Sequence, residues 1–144
     1  MSKKVITGAD SMTKLDSFEE KRVFDYIYLD LGIKEISTIK HNRKKEFFNR
    51  EYQECYIPDF LIKGLTDKPI IIEYFGMFHQ DLEGKHAMYI DYAEKTIRKN
   101  AYFREREDIY YIDIYPEDLK ENMISVKHKL SELIPSLAEM QERI

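Results

Sequence analysis

The chain has 144 residues, 43% of them hydrophobic, with a net charge of −4 and a pI near 5.6. That is one domain's worth of chain with enough apolar side chains for its own core. The acidic balance excludes a protein that coats nucleic acid by bulk charge, though not one with a local basic face. No apolar run reaches the ~18 residues of a membrane span, and "MSKKVITGAD" has no apolar h-region, so a soluble, unexported, cytoplasmic protein is expected. The single cysteine, Cys55, excludes a disulfide framework or a CxxC metal site within the chain. Eleven tyrosines and eight phenylalanines, with no tryptophan, are mostly core candidates.

In chain order, residues 1–16 read as a flexible arm. "SFEE" offers Ser17 as N-cap with Glu20 at the capping-box spacing. Val23, Phe24, Ile27 and Leu31 then recur at helical spacing until Gly32, which predicts a helix over 17–31. Glu20 lies on the apolar stripe of that helix, whereas Glu19 is rotated about 100° away. A short extended segment follows at Ile36 to Ile39, and then the basic run "KHNRKKEFFNR". Strands are predicted from Glu54 to Ile62 and from Pro69 to Phe75. The turn residues Gly64, Asp67 and Pro69 join them as an antiparallel hairpin.

The stretch from His86 to Glu107 is rich in helix formers, without proline or glycine, and predicts a second long helix. Ile109 to Ile114 reads as a strand, which a crossover helix would place parallel in the same sheet. Pro116 opens a last helix. Its Leu119, Met123, Val126, Leu130 and Leu133 recur at helical steps and are expected to cover the sheet, and residues 135–144 read as a helical tail. The fold class is therefore α/β: a single domain over 17–134, with a mixed sheet of about four strands flanked by helices.

Two carboxylates interrupt the hydrophobic hairpin, Asp59 beside Pro58 and Glu73 after Ile70, Ile71 and Ile72. A solvent-facing, purely structural Asp59 would require strict alternation. The runs are too continuously apolar for that, so both strands read as covered on both faces. Buried carboxylates are costly unless paired with a cation or metal. Hard oxygen donors favour Mg²⁺ or Mn²⁺, which polarises a phosphoryl oxygen and lowers the pKa of a bound water. The chemistry that fits is phosphodiester hydrolysis.

"PDF" at Pro58–Phe60 followed by "IEYFG" at Ile72–Gly76 resembles the catalytic hairpin of the PD-(D/E)XK nucleases, the restriction-endonuclease-like superfamily. The helix, three strands, helix, strand order over roughly 17–119 is similar to that superfamily's core. The resemblance implies metal binding by Asp59 and Glu73, with Glu20 from the first helix joining them. It departs at the lysine, because Phe75 stands where E-x-K requires one. Subgroups with E-x-x-G carry a polar or basic residue on the next helix, and the chain is similar in this to the very-short-patch-repair nucleases. The resemblance thus implies Lys99 as the displaced lysine, with Lys95 as second choice, and His79 as a base or phosphate contact.

Lys40, Arg43, Lys44, Lys45 and Arg50 are candidate DNA-phosphate contacts, with Arg98, Arg104 and Arg106 on the same face. A metal-dependent DNA endonuclease, a homodimer if it cuts both strands, is the function expected. A role in a phage or mobile element is an analogy with the superfamily. The alternatives are a catalytically inactive nuclease-fold module for DNA binding or assembly, and a small α/β interaction protein docking through its last helix.

Overall fold

The computed structural model describes residues 5–38, 46–76 and 87–140. Residues 5–16 do not form the expected arm. β1 (Ile6–Thr7) and β2 (Lys14–Leu15) pair antiparallel around a turn that Asp10 closes, accepting hydrogen bonds from the Met12 and Thr13 amides. Leu15 is buried in the main core, and the Ala9 amide bonds Asp25 of the first helix. The hairpin seats itself through Gly8, where a β-carbon would come within 2.6 Å of the Phe24 ring. Because Phe24 is fully buried, Gly8→Ala is expected to destabilise by about 1–3 kcal/mol, seen as a fall in Tm.

Helix α1 (Phe18–Asp25) is capped by Ser17, whose hydroxyl accepts from the Glu20 amide. It continues as one π-helical segment, Tyr26–Asp30, closed by the Leu31 amide on the Tyr26 carbonyl, and ends at Gly32 with φ +69°. β3 (Ile36–Ser37) is short, and β4 (Phe48–Asn49) pairs antiparallel with β5 (Glu54–Cys55). The strand expected over Glu54–Ile62 is therefore two pieces. Pro58, which has no amide hydrogen to give a ladder, separates β5 from β6 (Phe60–Ile62), and Cys55 is exposed rather than embedded in an apolar strand.

β6 pairs antiparallel with β7 (Ile70–Tyr74), and β7 runs parallel to β8 (Tyr110–Ile114) after the crossover helix α2 (Ala87–Arg104). The result is a mixed four-stranded sheet in the order β3-β6-β7-β8. All five residues of β7 are buried, as its unbroken apolar run requires. Ile70, Ile72 and Tyr74 face the core built by α1 and the last helix. Ile71 faces a second cluster with Phe47, Tyr56 and Phe103, and Tyr111 of β8 packs against that same cluster.

The segment after Pro116 opens as a 3-10 turn, Pro116–Leu119, before α3 (Lys120–Ser131). The first turn of α3 breaks into left-handed backbone at Glu121, Asn122 and Met123, with φ of 54°, 57° and 62°. Leu119, Met123, Val126 and Leu130 are buried on the sheet as their spacing predicts. The tail begins as a 3-10 turn, Pro135–Glu139, which Lys127 pins by donating to the Met140 carbonyl. Among the described residues, no helix is long and apolar enough to cross a membrane.

Candidate active site

Where Pro58 ends the β6–β7 ladder, side chains take over its hydrogen bonds. The Asp59 amide donates to Glu73 Oε1 at 2.9 Å, and the Tyr74 amide donates to Asp59 Oδ2 at 2.8 Å. Each carboxylate thereby closes the backbone of the other's strand, which fixes both rotamers at the open end of the hairpin. Glu73 is 2% exposed. Glu73 and Asp59 cannot both hold a full charge there without a compensating cation.

The cation within reach comes from α2. Lys99 Nζ lies 2.8 Å from Glu73 Oε2 and 3.5 Å from the Ile57 carbonyl. Phe75, at the position the E-x-K pattern gives to lysine, is buried and stacks on Tyr115 at 5.7 Å between centroids. Lys95 lines the same cleft one turn earlier but does not pair with Glu73. The cleft measures about 270 Å³, and its walls are Asp59, Glu73, Tyr74 and Phe75 on one side and Tyr92, Lys95, Thr96 and Lys99 of α2 on the other.

Glu20 approaches Asp59 from the opposite flank and lines a cleft with it. Burial first, and then the charge of Asp59, lift the Glu20 carboxyl to about 7. Burial holds Asp59 above its ordinary value, and the Tyr74 amide and the charge of Lys99 oppose that rise. Burial, followed by the charge of Asp59, pushes Glu73 up to about 8, and Lys99 opposes that rise. The Glu20 carboxylate also accepts from the Ser17 hydroxyl at 3.2 Å. The capping box is thus only half realised, because this carboxylate turns toward Asp59 and Ser17's side chain. A second cleft of about 260 Å³, lined by Lys14, Asp16, Glu20 and Ile57 among others, meets the first at Asp59.

Raised carboxyl groups mark a site short of positive charge, which a divalent cation could supply. Asp59 and Glu73 present hard oxygen donors on fixed backbones and fit Mg²⁺ or Mn²⁺ as direct ligands, with Glu20 behind Asp59. No group of three or more His, Cys, Asp and Glu side chains that would enclose a metal occurs among the described residues. Mg²⁺ held by two carboxylates would keep water in the rest of its shell.

Of the other predicted residues, Arg50 is exposed in the turn after β4. Arg104 pairs with Asp113 at 2.6 Å and Arg106 with Asp108 at 2.5 Å, so both are engaged with carboxylates. His79, Lys40, Arg43, Lys44 and Lys45 lie outside the described residues. The sequence reading missed Tyr92 and Thr96, although their spacing to Lys95 and Lys99 marks one face of a helix. It also missed Glu19, which accepts from the Tyr74 hydroxyl at 2.9 Å and ties α1 to the end of β7. Gly76 follows from that contact, since a β-carbon there would sit 2.8 Å from the Tyr74 ring and 3.1 Å from the Glu19 carboxylate. No family model, curated protein or solved structure matches the chain.

Proposed function

We propose that the protein is a metal-dependent endonuclease of the PD-(D/E)XK kind, hydrolysing DNA phosphodiester bonds in the cytoplasm, as a homodimer where both strands are cut. One observation carries the proposal. Lys99, from a helix outside the catalytic hairpin, reaches to 2.8 Å from the Glu73 carboxylate, whose other oxygen holds the Asp59 amide. An Asp, a Glu and a Lys from three elements thus converge on one cleft, although the local lysine of the motif is missing.

Asp59 and Glu73 would hold the ion, which when bound would supply Lewis acidity at the phosphoryl oxygen and a water of lowered pKa. Lys99 opposes the rise of the Glu73 carboxyl and so eases its ionisation when the ion binds, and its ammonium faces the cleft where the attacking water and a non-bridging oxygen would lie. Glu20, which flanks Asp59, would assist it in balancing the charge of the ion. The backbone bonds to Asp59 and Glu73 hold both carboxylates in place before substrate arrives, so little reorganisation is left for the reaction.

The test is nicking of supercoiled plasmid with Mg²⁺ or Mn²⁺ by wild type, Lys99→Met and Lys95→Met, alongside melting with and without metal. Lys99→Met is expected to lose at least about 100-fold in rate, and Lys95→Met to retain the chemical step. No cleavage in either metal, with no metal-induced rise in Tm, would sink the nuclease and assign Asp59 and Glu73 to closing the hairpin in an inactive nuclease-fold module.

A further inference from the structure

The polar face of α2 continues past the cleft. Lys95 is exposed at the rim and forms no ion pair with any described residue, though its charge is felt at Glu54. Three residues further on, Arg98 grips Glu54 with two bonds, Nε to Oε1 at 2.8 Å and Nη2 to Oε2 at 3.0 Å. That grip fixes the guanidinium 5.1 Å from the centroid of Tyr52, in the turn between β4 and β5. Tyr52 is 51% exposed.

The turn that carries Tyr52 is braced. The Asn49 side chain accepts from the Glu51 amide, Gln53 donates to the Arg50 carbonyl, and the Tyr56 hydroxyl donates to Glu54. A tyrosine ring is thus presented to solvent on a fixed backbone, backed by a fixed cation. Glu51, Glu54 and Glu94 dilute the positive charge along this path, so stacking rather than bulk charge would have to supply the affinity.

A base within a duplex has both π faces covered by its neighbours. An unpaired base has a face to offer, and an aromatic side chain beside a cationic groove is the usual platform for it. We propose that a DNA strand leaving the cleft crosses α2 at Lys95 and stacks an unpaired base on Tyr52. The favoured substrate then carries a single-stranded flank next to the scissile phosphate. This assignment rests on the nuclease reading for its placement of the scissile bond.

The test measures fluorescence anisotropy of labelled oligonucleotides in EDTA, where no turnover occurs: a single strand, a blunt duplex and a duplex with a single-stranded tail. Wild type is expected to bind the tailed duplex more tightly than the blunt one. Tyr52→Ala is expected to weaken the tailed duplex about 5- to 150-fold while leaving the blunt one unchanged, and Tyr52→Phe to bind as wild type. Lys95→Ala should reduce the slope of log affinity against log salt for the single strand by about 0.7. Equal binding of tailed and blunt duplexes by wild type, or a Tyr52→Ala variant that keeps the preference, overturns the assignment even if plasmid is cut. A preference lost in Tyr52→Ala without cleavage in any metal upholds the stacking of an unpaired base on Tyr52 and removes the nuclease reading, and with it the scissile phosphate beside that base.

Discussion

Asp59→Asn is expected to lower metal-dependent cleavage by about a thousandfold or more while the protein still folds. The carboxylate has two duties that this substitution separates. As an acceptor, Asp59 holds the Tyr74 amide at 2.8 Å, and an asparagine carbonyl can do the same. As an anion, it would offer charge to the divalent ion of the proposed nuclease, which an amide cannot. Losing several kcal/mol of charge stabilisation in the transition state corresponds to roughly three powers of ten in rate. Asp59→Ala removes both duties and leaves the Tyr74 amide without its acceptor, adding about 1–3 kcal/mol of destabilisation. Rates from single-turnover cleavage and Tm from thermal melting separate the two effects. An asparagine variant with near wild-type rate would remove Asp59 from the chemistry.

The second large effect is on stability and depends on pH. Glu73 has its carboxyl lifted from 4.5 to about 8 by burial and by Asp59. A carboxyl raised in the folded state binds its proton more tightly there than in the unfolded chain. Its stabilising contribution is therefore complete below pH 4.5 and is lost as pH rises toward 8. Glu20, raised to about 7, and Asp59, also raised, act in the same direction. Without metal, the Tm of the wild type is expected to fall between pH 5 and pH 8. Glu73→Gln, which mimics the protonated form, should flatten that fall by a few kcal/mol, or roughly 5–15 °C. Mg²⁺ should restore the wild type at pH 8, because metal and proton compete for the same oxygens, and should do little for the glutamine variant. Parallel melting curves for the two proteins across this range would show that Glu73 is ionised throughout and compensated by Lys99 alone.

Much of this was legible in the sequence, for physical reasons. The two-sided burial of β7 followed from Ile70, Ile71 and Ile72 in succession, and the parallel β8 from the need for a crossover helix. The approach of Asp59 to Glu73 followed from the hairpin. Lys99 could be named only as one of two lysines, because which turn of α2 faces Glu73 depends on how the helix docks, and docking is a property of the assembled core. The N-terminal hairpin was missed although Gly8, Asp10 and Ser11 are turn residues. Strands of two residues leave too little alternation to detect, and the contact that seats this one, Gly8 on Phe24, links distant parts of the chain. The break at Pro58 was foreseeable from its missing donor. The left-handed turn at Glu121–Met123 had no signal, since no glycine marks it.

The hydrogen bonds by which Asp59 and Glu73 close each other's strand have one more consequence. The amides of Asp59 and Tyr74 continue the hairpin past its backbone ladder by bonding side chains, and at the same time they hold the candidate ligands. Whatever draws on either carboxylate also loads that end of the hairpin, and fraying there releases the carboxylate. Two amide protons, followed by hydrogen exchange residue by residue, would therefore act as a built-in gauge in which occupancy of the cleft and local opening of the fold are read on one scale.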